Sequence, residues 1–349
     1  MSGQADTPGP SRNHERLATR LAEGALELYG LRGSHLDLLS GGFAQVYRVQ
    51  TEPGERFVLR LYGLPRADEA ALRTGPGRRS LGTLRSQVSW LSALRRETGL
   101  LVPEPIPTLG GALVGRVSVK GARTGRHCSL ARWVPGAHKG RDLSPADLEL
   151  VGSFVGRMHG HAERYPMPEP SALPRWDWSW PFGESAPLWE HGRAFYSEEE
   201  MGVFAAASRG VRGELERLGE GRDVFGVVHR DLNLDNVVFC EGRVGVLDFD
   251  ACGLGHYLLD LFRVRRAITT RHRDRFEPLW AAFLRGYEGT RPLARGPQGY
   301  LRTFATMQTV AALNTHITAL VASGGKRKRG RDPRFLANAV GLVRRMSAR

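Results

Sequence analysis

Apolar residues recur along this chain with two different periods. Leu17, Leu21, Ala25 and Leu28 are three and four apart, which predicts an amphipathic helix over 14–29. From Leu36 onward the spacing shortens. Residues 36–40, 46–50 and 56–62 read as three strands, parted by Gly41-Gly42-Phe43-Ala44-Gln45 and by Pro53-Gly54. Alternation in the third strand puts Val58, Arg60 and Tyr62 on one face and Phe57, Leu59 and Leu61 on the other. After a Gly-, Pro- and Arg-rich link over 73–82 the helical period returns with Leu84, Val88, Leu91 and Leu94. The segment 102–107 reads as extended, and 128–136 as a further strand. Ser144-Pro145 then opens a helix with a cap residue and a proline in the first turn, and Leu148, Val151, Val155 and Met158 form its apolar stripe. Three more helices are expected around Phe276–Tyr287, Tyr300–Ile317 and Phe335–Val343.

The densest run of chemistry lies between Val227 and Asp250. A strand, Val227-Val228, leads into the polar loop His229-Arg230-Asp231-Leu232-Asn233-Leu234-Asp235-Asn236. An apolar run over 237–240 reverses at Glu241-Gly242 and returns as Val244-Gly245-Val246-Leu247, which predicts a hairpin. The loop enters this hairpin and Asp248 leaves it, so Asp231, Asn236 and Asp248 should converge. Two carboxylates and an amide oxygen form an oxygen set suited to magnesium-dependent phosphoryl transfer. The alternative is a polar loop whose Asp and Asn only cap turns. The His two positions before Asp231 and the Asp248-Phe249-Asp250 triplet at hairpin distance favour the chemical reading. In the catalytic-loop pattern of kinases, Asp231 accepts the proton of an attacking hydroxyl, while Asn236 and Asp248 hold metal. Upstream, Gly41 and Gly42 form a turn whose free N–H groups suit phosphate, although tight hairpins use the same residues.

Continued through Gly253-Leu254-Gly255-His256-Tyr257-Leu258-Leu259-Asp260, this segment resembles the aminoglycoside phosphotransferase and choline kinase group. These are small-molecule kinases of the protein-kinase-like fold. The resemblance implies an α+β, two-lobed protein: a small, mainly antiparallel β lobe over 13–134 and a larger, mainly helical lobe over 135–349; ahead of them, the Gly and Pro content of 1–12 suggests a disordered leader. It implies ATP and Mg2+ as cofactors and a small-molecule hydroxyl acceptor, such as an amino alcohol, a sugar or an aminoglycoside-like compound. Val58 would roof the adenine, and Arg132, Trp133 and Val134 would form the hinge that bonds the base edge. Arg60 stands where these kinases carry a lysine for the phosphates. A guanidinium can pair with phosphate oxygens too. The usual helix Glu is replaced by Gln87, with Glu69 and Glu97 as possible substitutes. Arg230 stands where the group more often has Gly. His159 and His161 match helix ends that serve packing, and the carboxy-terminal helices would shape the acceptor pocket.

Composition narrows the picture further. A chain of 349 residues, 41% apolar and 25% charged, suits a soluble protein of two lobes. No apolar run reaches the ~18 residues of a membrane span. The amino terminus lacks the apolar core of a secretory signal, so the cytoplasm is the expected location and no membrane partner is expected. Cys128, Cys240 and Cys252 show neither disulfide nor metal spacing, and Cys240 reads as a core residue. The net charge of +14 is carried almost wholly by scattered arginines, with one dense run over 326–331, and no nucleic-acid partner is expected. The tryptophans of 165–192 either cover a substrate cleft or pin a long connection to the larger lobe. A protein kinase is disfavoured, because no Gly follows Asp248-Phe249 and no Ala-Pro-Glu segment follows. The remaining alternative is a nucleotide-binding, pseudokinase-type regulatory module, supported by Arg60 and Gln87. The oligomeric state is not encoded in these patterns.

Overall fold

The alternation in residues 56–62 is the alternation of a sheet. A computed structural model describes residues 12–41, 44–52, 54–63, 80–122, 124–167, 171–293, 297–323 and 333–347. In it, strands β1 (His35–Gly41), β2 (Ala44–Gln50), β3 (Arg56–Tyr62), β4 (Pro105–Ile106), β5 (Gly115–Val117) and β6 (Arg126–Arg132) form one sheet. Its order is β1-β2-β3-β6-β4, with β5 also on β6, and every pair is antiparallel. Phe57, Leu59 and Leu61 are buried, while Val58 and Arg60 on the other face are half-buried. Helix α1 (Arg12–Glu27) covers the apolar face, packing Leu21, Ala22, Ala25 and Leu26 against Tyr47, Val49, Leu59, Leu61 and Leu130. Each fully buried Leu or Val contributes ~1.5–3 kcal/mol relative to exposure.

By its contacts the chain falls into two units. One comprises 1–64, 88–92 and 103–134; the other comprises 65–87, 93–102 and 135–349. Helix α2 (Leu81–Thr98) starts at a Ser80 cap that accepts from the Thr83 N–H and ends at Gly99, whose φ of 65° is left-handed. The expected leader lies outside the described residues apart from Arg12, which begins α1.

The second unit is mainly helical. Helix α3 (Pro145–Arg164) begins at the expected Ser144 cap, which is reciprocal: Ser144 accepts from the Asp147 N–H and Asp147 from the Ser144 N–H. The later helices are α4 (Ser179–Phe182), α5 (Pro187–His191), α6 (Glu198–Leu218), α7 (Leu258–Arg271), α8 (Phe276–Glu288), α9 (Pro297–Ala322) and α10 (Pro333–Ser347). Helices α3 and α8 meet backbone to backbone. A Cβ at Gly152 would strike the Phe283 carbonyl, and one at Gly286 would strike that of Glu149. Two small antiparallel pairs complete the unit: β7 (Phe225–Val228) with β10 (Gly253–His256), and β8 (Val237–Cys240) with β9 (Arg243–Val246).

Several expectations change here. The stretch Gly253–His256, whose two glycines suggest a turn, is strand β10. Its glycines admit close neighbours, since a Cβ at Gly253 would run into Pro174 and the Trp176 indole. Helices α6 and α7 were not read from the sequence. Cys240 is half-buried, not a core residue. The tryptophans act as pins: Trp176, Trp178 and Trp189 donate their indole N–H groups to the carbonyls of Ala251, Ser208 and Phe182. Among the described residues no helix is long and apolar enough to cross a membrane.

Candidate active site

The Val237–Cys240 and Arg243–Val246 strands close through a two-residue turn. Glu241 and Gly242 have φ of 49° and 72°, the doubly left-handed geometry that matches strand twist in a hairpin. Val237 pairs with Val246, and the Leu247 N–H extends the ladder by donating to the Asn236 carbonyl (2.8 Å). Asn236 and Asp248 therefore lie at the open end of one hairpin. Asp248 takes φ 58° and ψ 64°, a left-handed conformation that Asp tolerates better than most side chains.

The loop before the hairpin is irregular, and buried side chains hold its shape. His229 donates from Nε2 to the Leu247 carbonyl (2.9 Å), and its Nδ1 accepts from the Asp231 N–H (3.3 Å). This pair of bonds fixes its tautomer. One carboxylate on α7, Asp260, accepts from the backbone N–H groups of His229 (2.8 Å) and Arg230 (2.7 Å). Asp260 also accepts from His159 Nε2 (3.1 Å). Both His159 and Asp260 have no exposed side-chain surface. Burial pushes the imidazole of His159 below its ordinary pKa, which keeps it neutral. Burial alone would raise the carboxyl of Asp260, but the His159 hydrogen bond and the charges and N–H groups around it hold it below its usual value, so it stays ionised. The chain of bonds continues outward. Tyr287 donates to His159 Nδ1 (3.0 Å), and Arg291 donates to the Tyr287 hydroxyl (3.1 Å) while lying over the Tyr257 ring. The close approach of α3 and α8 is what brings His159 and Tyr287 together.

Within this frame Asp231 and Asn236 are joined directly. Asn236 donates from Nδ2 to the Asp231 carbonyl (2.9 Å), which leaves its Oδ1 for another partner. Asp231 keeps 34% of its side chain exposed and takes a hydrogen bond at Oδ1 from Arg263 of α7, which is 14% exposed. Arg263 was not singled out from the sequence. The only available signal was its place three residues after Asp260, one turn along the same helix face.

Arg230 has φ 69°, a left-handed backbone that glycine adopts freely. Its guanidinium lies 4.5 Å from the Trp176 ring centroid and 4.8 Å from that of Trp180. Burial, followed by the like charge of Arg263, lowers its pKa to about 10. Trp176 and Trp180 thus stack on an arginine of the chain itself.

The candidates in the first unit lie on its sheet. Gly41 ends β1 and pairs with Gln45, whereas Gly42 lies outside the described residues. Val58 pairs with Ala131 and Arg60 with Ser129 across β3 and β6, and Arg132, Trp133 and Val134 follow on. The N–H groups of Arg132 and Trp133 are bonded to the carbonyls of Glu104 (2.8 Å) and Arg56 (3.0 Å). Among these three, Val134 remains as the candidate N–H donor to a base. In the second unit Gln87 donates both amide hydrogens, to the carbonyls of Asp250 (3.1 Å) and Cys252 (2.9 Å). Its amide therefore braces the chain just after Asp248. Glu97 pairs with Arg96 and His161, and Glu69 lies outside the described residues.

The profile of the phosphotransferase enzyme family matches residues 35–296. A protein of Deinococcus radiodurans is 30% identical over 289 residues, covering 80% of this chain and 76% of its own length. The amicoumacin kinase of Bacillus subtilis is 27% identical over 189 residues, 53% of this chain and 52% of that kinase, so this match spans about half of each. An amicoumacin kinase solved in complex with AMP-PNP, Ca2+ and Ami superposes with a TM-score of 0.70 at 18% identity, covering 96% of each chain, a likeness of fold. The two-lobed kinase-like architecture and the family match agree, and the chain belongs to the phosphotransferase enzyme family.

Proposed function

We propose that this phosphotransferase moves the γ-phosphoryl group of ATP to a hydroxyl of a small molecule, with Asp231 as the general base and Asn236 and Asp248 as ligands of Mg2+. The observation that carries this reading is the hydrogen-bonded assembly of the Asp231 loop with the open end of the hairpin. With Nδ2 committed to the Asp231 carbonyl, Asn236 offers an amide oxygen, and Asp248 offers a carboxylate. Hard oxygen donors of this kind fit Mg2+. When bound, the metal neutralises charge on the phosphates. Arg263 orients Asp231 through Oδ1, which leaves Oδ2 to take the acceptor proton as the hydroxyl attacks. Arg60, Val58 and the Gly41 turn supply the phosphate and adenine contacts in the first unit, with Val134 as the base-edge donor.

The test is ADP release measured across amino alcohols, hydroxy acids, sugars and aminoglycosides. The account expects acceptor-dependent release that Asp248→Asn depresses together with Mg-ATP affinity, roughly tenfold or more. Asn is the informative substitute because it accepts the left-handed backbone of residue 248. Nucleotide binding without release for any acceptor would instead indicate a pseudokinase-type module.

A further inference from the structure

We infer that the acceptor carries an anionic oxygen group, a carboxylate or a phosphate, and that Arg230 and Arg263 hold it beside Asp231. The inference rests on the phosphoryl-transfer reading above and names the acceptor's chemical class.

The first observation is the cost at which Arg230 is kept. Its backbone φ of 69° is left-handed, a conformation that strains a long side chain such as Arg, and such strain persists where the surroundings fix it. Those surroundings are specific. Trp176 is tied by its N–H to the Leu254 carbonyl and by its indole to the Ala251 carbonyl, and it stands edge-on to Trp180 with ring centroids 5.4 Å apart. The guanidinium packed against both rings is thus held in place and largely shielded, unlike a surface arginine extended into water.

The second observation concerns hydrogen bonds that are not made. Nε of Arg230 and Nε of Arg263 are both buried, and neither has an acceptor among the described residues. A buried charged donor without an acceptor is among the costlier features a fold can hold. The carboxylates nearby cannot meet both needs. Asp260 is engaged by His159 and by the two loop N–H groups, and Asp231 Oδ1 already accepts from Arg263 Nη2. Arg266, one turn beyond Arg263 on α7, adds a further positive charge close to Arg263. An anion on the acceptor supplies the missing oxygens.

Geometry then limits the acceptor. Because Arg263 touches Asp231, an anion on Arg263 lies a short spacer away from a hydroxyl that faces the base. Short hydroxy acids and phosphorylated alcohols fit. Amines would meet the guanidinium groups of Arg230 and Arg263 and are disfavoured.

The deciding experiment is calorimetric titration of inorganic phosphate into the full-length protein saturated with Mg-ADP, alongside ADP release with 4-hydroxybutyrate and 4-amino-1-butanol. Arg230→Gly relieves the backbone strain, so it should fold at least as well as the parent. The inference expects phosphate to bind at one site, at least tenfold more weakly in Arg230→Gly and Arg263→Gln, with Arg230→Lys between. It also expects the hydroxy acid to exceed the amino alcohol at least tenfold in kcat/KM, with that gap closing in Arg230→Gly. Absence of phosphate binding, binding that Arg230→Gly leaves within twofold, or an amino alcohol used as well as the acid would overturn it. Phosphate binding that depends on Arg230 without turnover of any acceptor would uphold the anion site and refute the transfer reading instead.

Discussion

Arg60 and Asp231 are aimed by different means. Arg60 sits on β3, whose register with β2 runs unbroken from Ala44↔Tyr62 to Gln50↔Arg56, so the pleat alone sets its face. Asp231 sits on an irregular loop held by Asp260, His159 and, more remotely, Tyr287 and Arg291, from three helices and the turn after α8. A strand position owes its aim to its immediate neighbours. The loop owes its shape to buried charge far away in sequence, so damage to a distant residue should reach the chemistry only in the second case.

The strongest way to break this contrast is Asp260→Ala. Removing one partner from a buried, charged network costs about 3–5 kcal/mol, because it leaves the His229 and Arg230 N–H groups and His159 without an acceptor. Urea unfolding should show that loss, and turnover should fall more than tenfold although Asp260 touches no substrate in this account. Unchanged stability and turnover would mean that the loop holds its own shape.

Arg60→Ala should behave oppositely. It should weaken Mg-ATP binding by roughly tenfold to a hundredfold, the loss of about 1.5–3 kcal/mol of charge-assisted bonding, with little change in the urea midpoint. Arg60→Lys should recover part of the affinity, since the charge survives and the fork does not. An Ala variant with parental affinity would place Arg60 outside the nucleotide site.

A smaller effect separates the two regions by pH. His159 is held neutral by burial, so its folded pKa lies below its unfolded value. The unfolded chain then binds a proton that the folded chain excludes, so stability is present above the unfolded pKa of ~6.5 and is lost as pH falls below it. Each pH unit in that window costs at most about 1.4 kcal/mol from this one group. Asp260, also depressed, adds its loss at lower pH, below ~4. Stability curves between pH 7 and 5 should flatten in His159→Gln, and an identical slope would remove His159 from the network.

The same contrast explains what was legible in the sequence. Period two marked the two faces of β3, of which the structure buries that of Phe57, Leu59 and Leu61, and the Glu241-Gly242 turn marked the hairpin, because these are local patterns. Helix α7 escaped notice because its buried positions include Asp260 among Leu258, Leu259, Leu261 and Phe262, which blurs an amphipathic stripe. Strand β10 escaped because Gly253 and Gly255 resemble a turn, whereas they are small to admit Pro174 and Trp176. Asp231, Asn236 and Asp248 could be picked out by spacing. The ties from Asp260 and Arg263 could not, since they exist only once α7 is folded against the loop.

The most direct test of the central claim, that Asp231 is the base and not a nucleotide ligand, is a paired measurement on Asp231→Asn. Turnover should fall by about 10²–10⁴-fold, the contribution of a positioned base, while Mg-ATP affinity stays close to that of the parent. A variant that keeps more than about a tenth of the parental rate, against that expected loss, would contradict the assignment. So would one that loses nucleotide binding along with turnover.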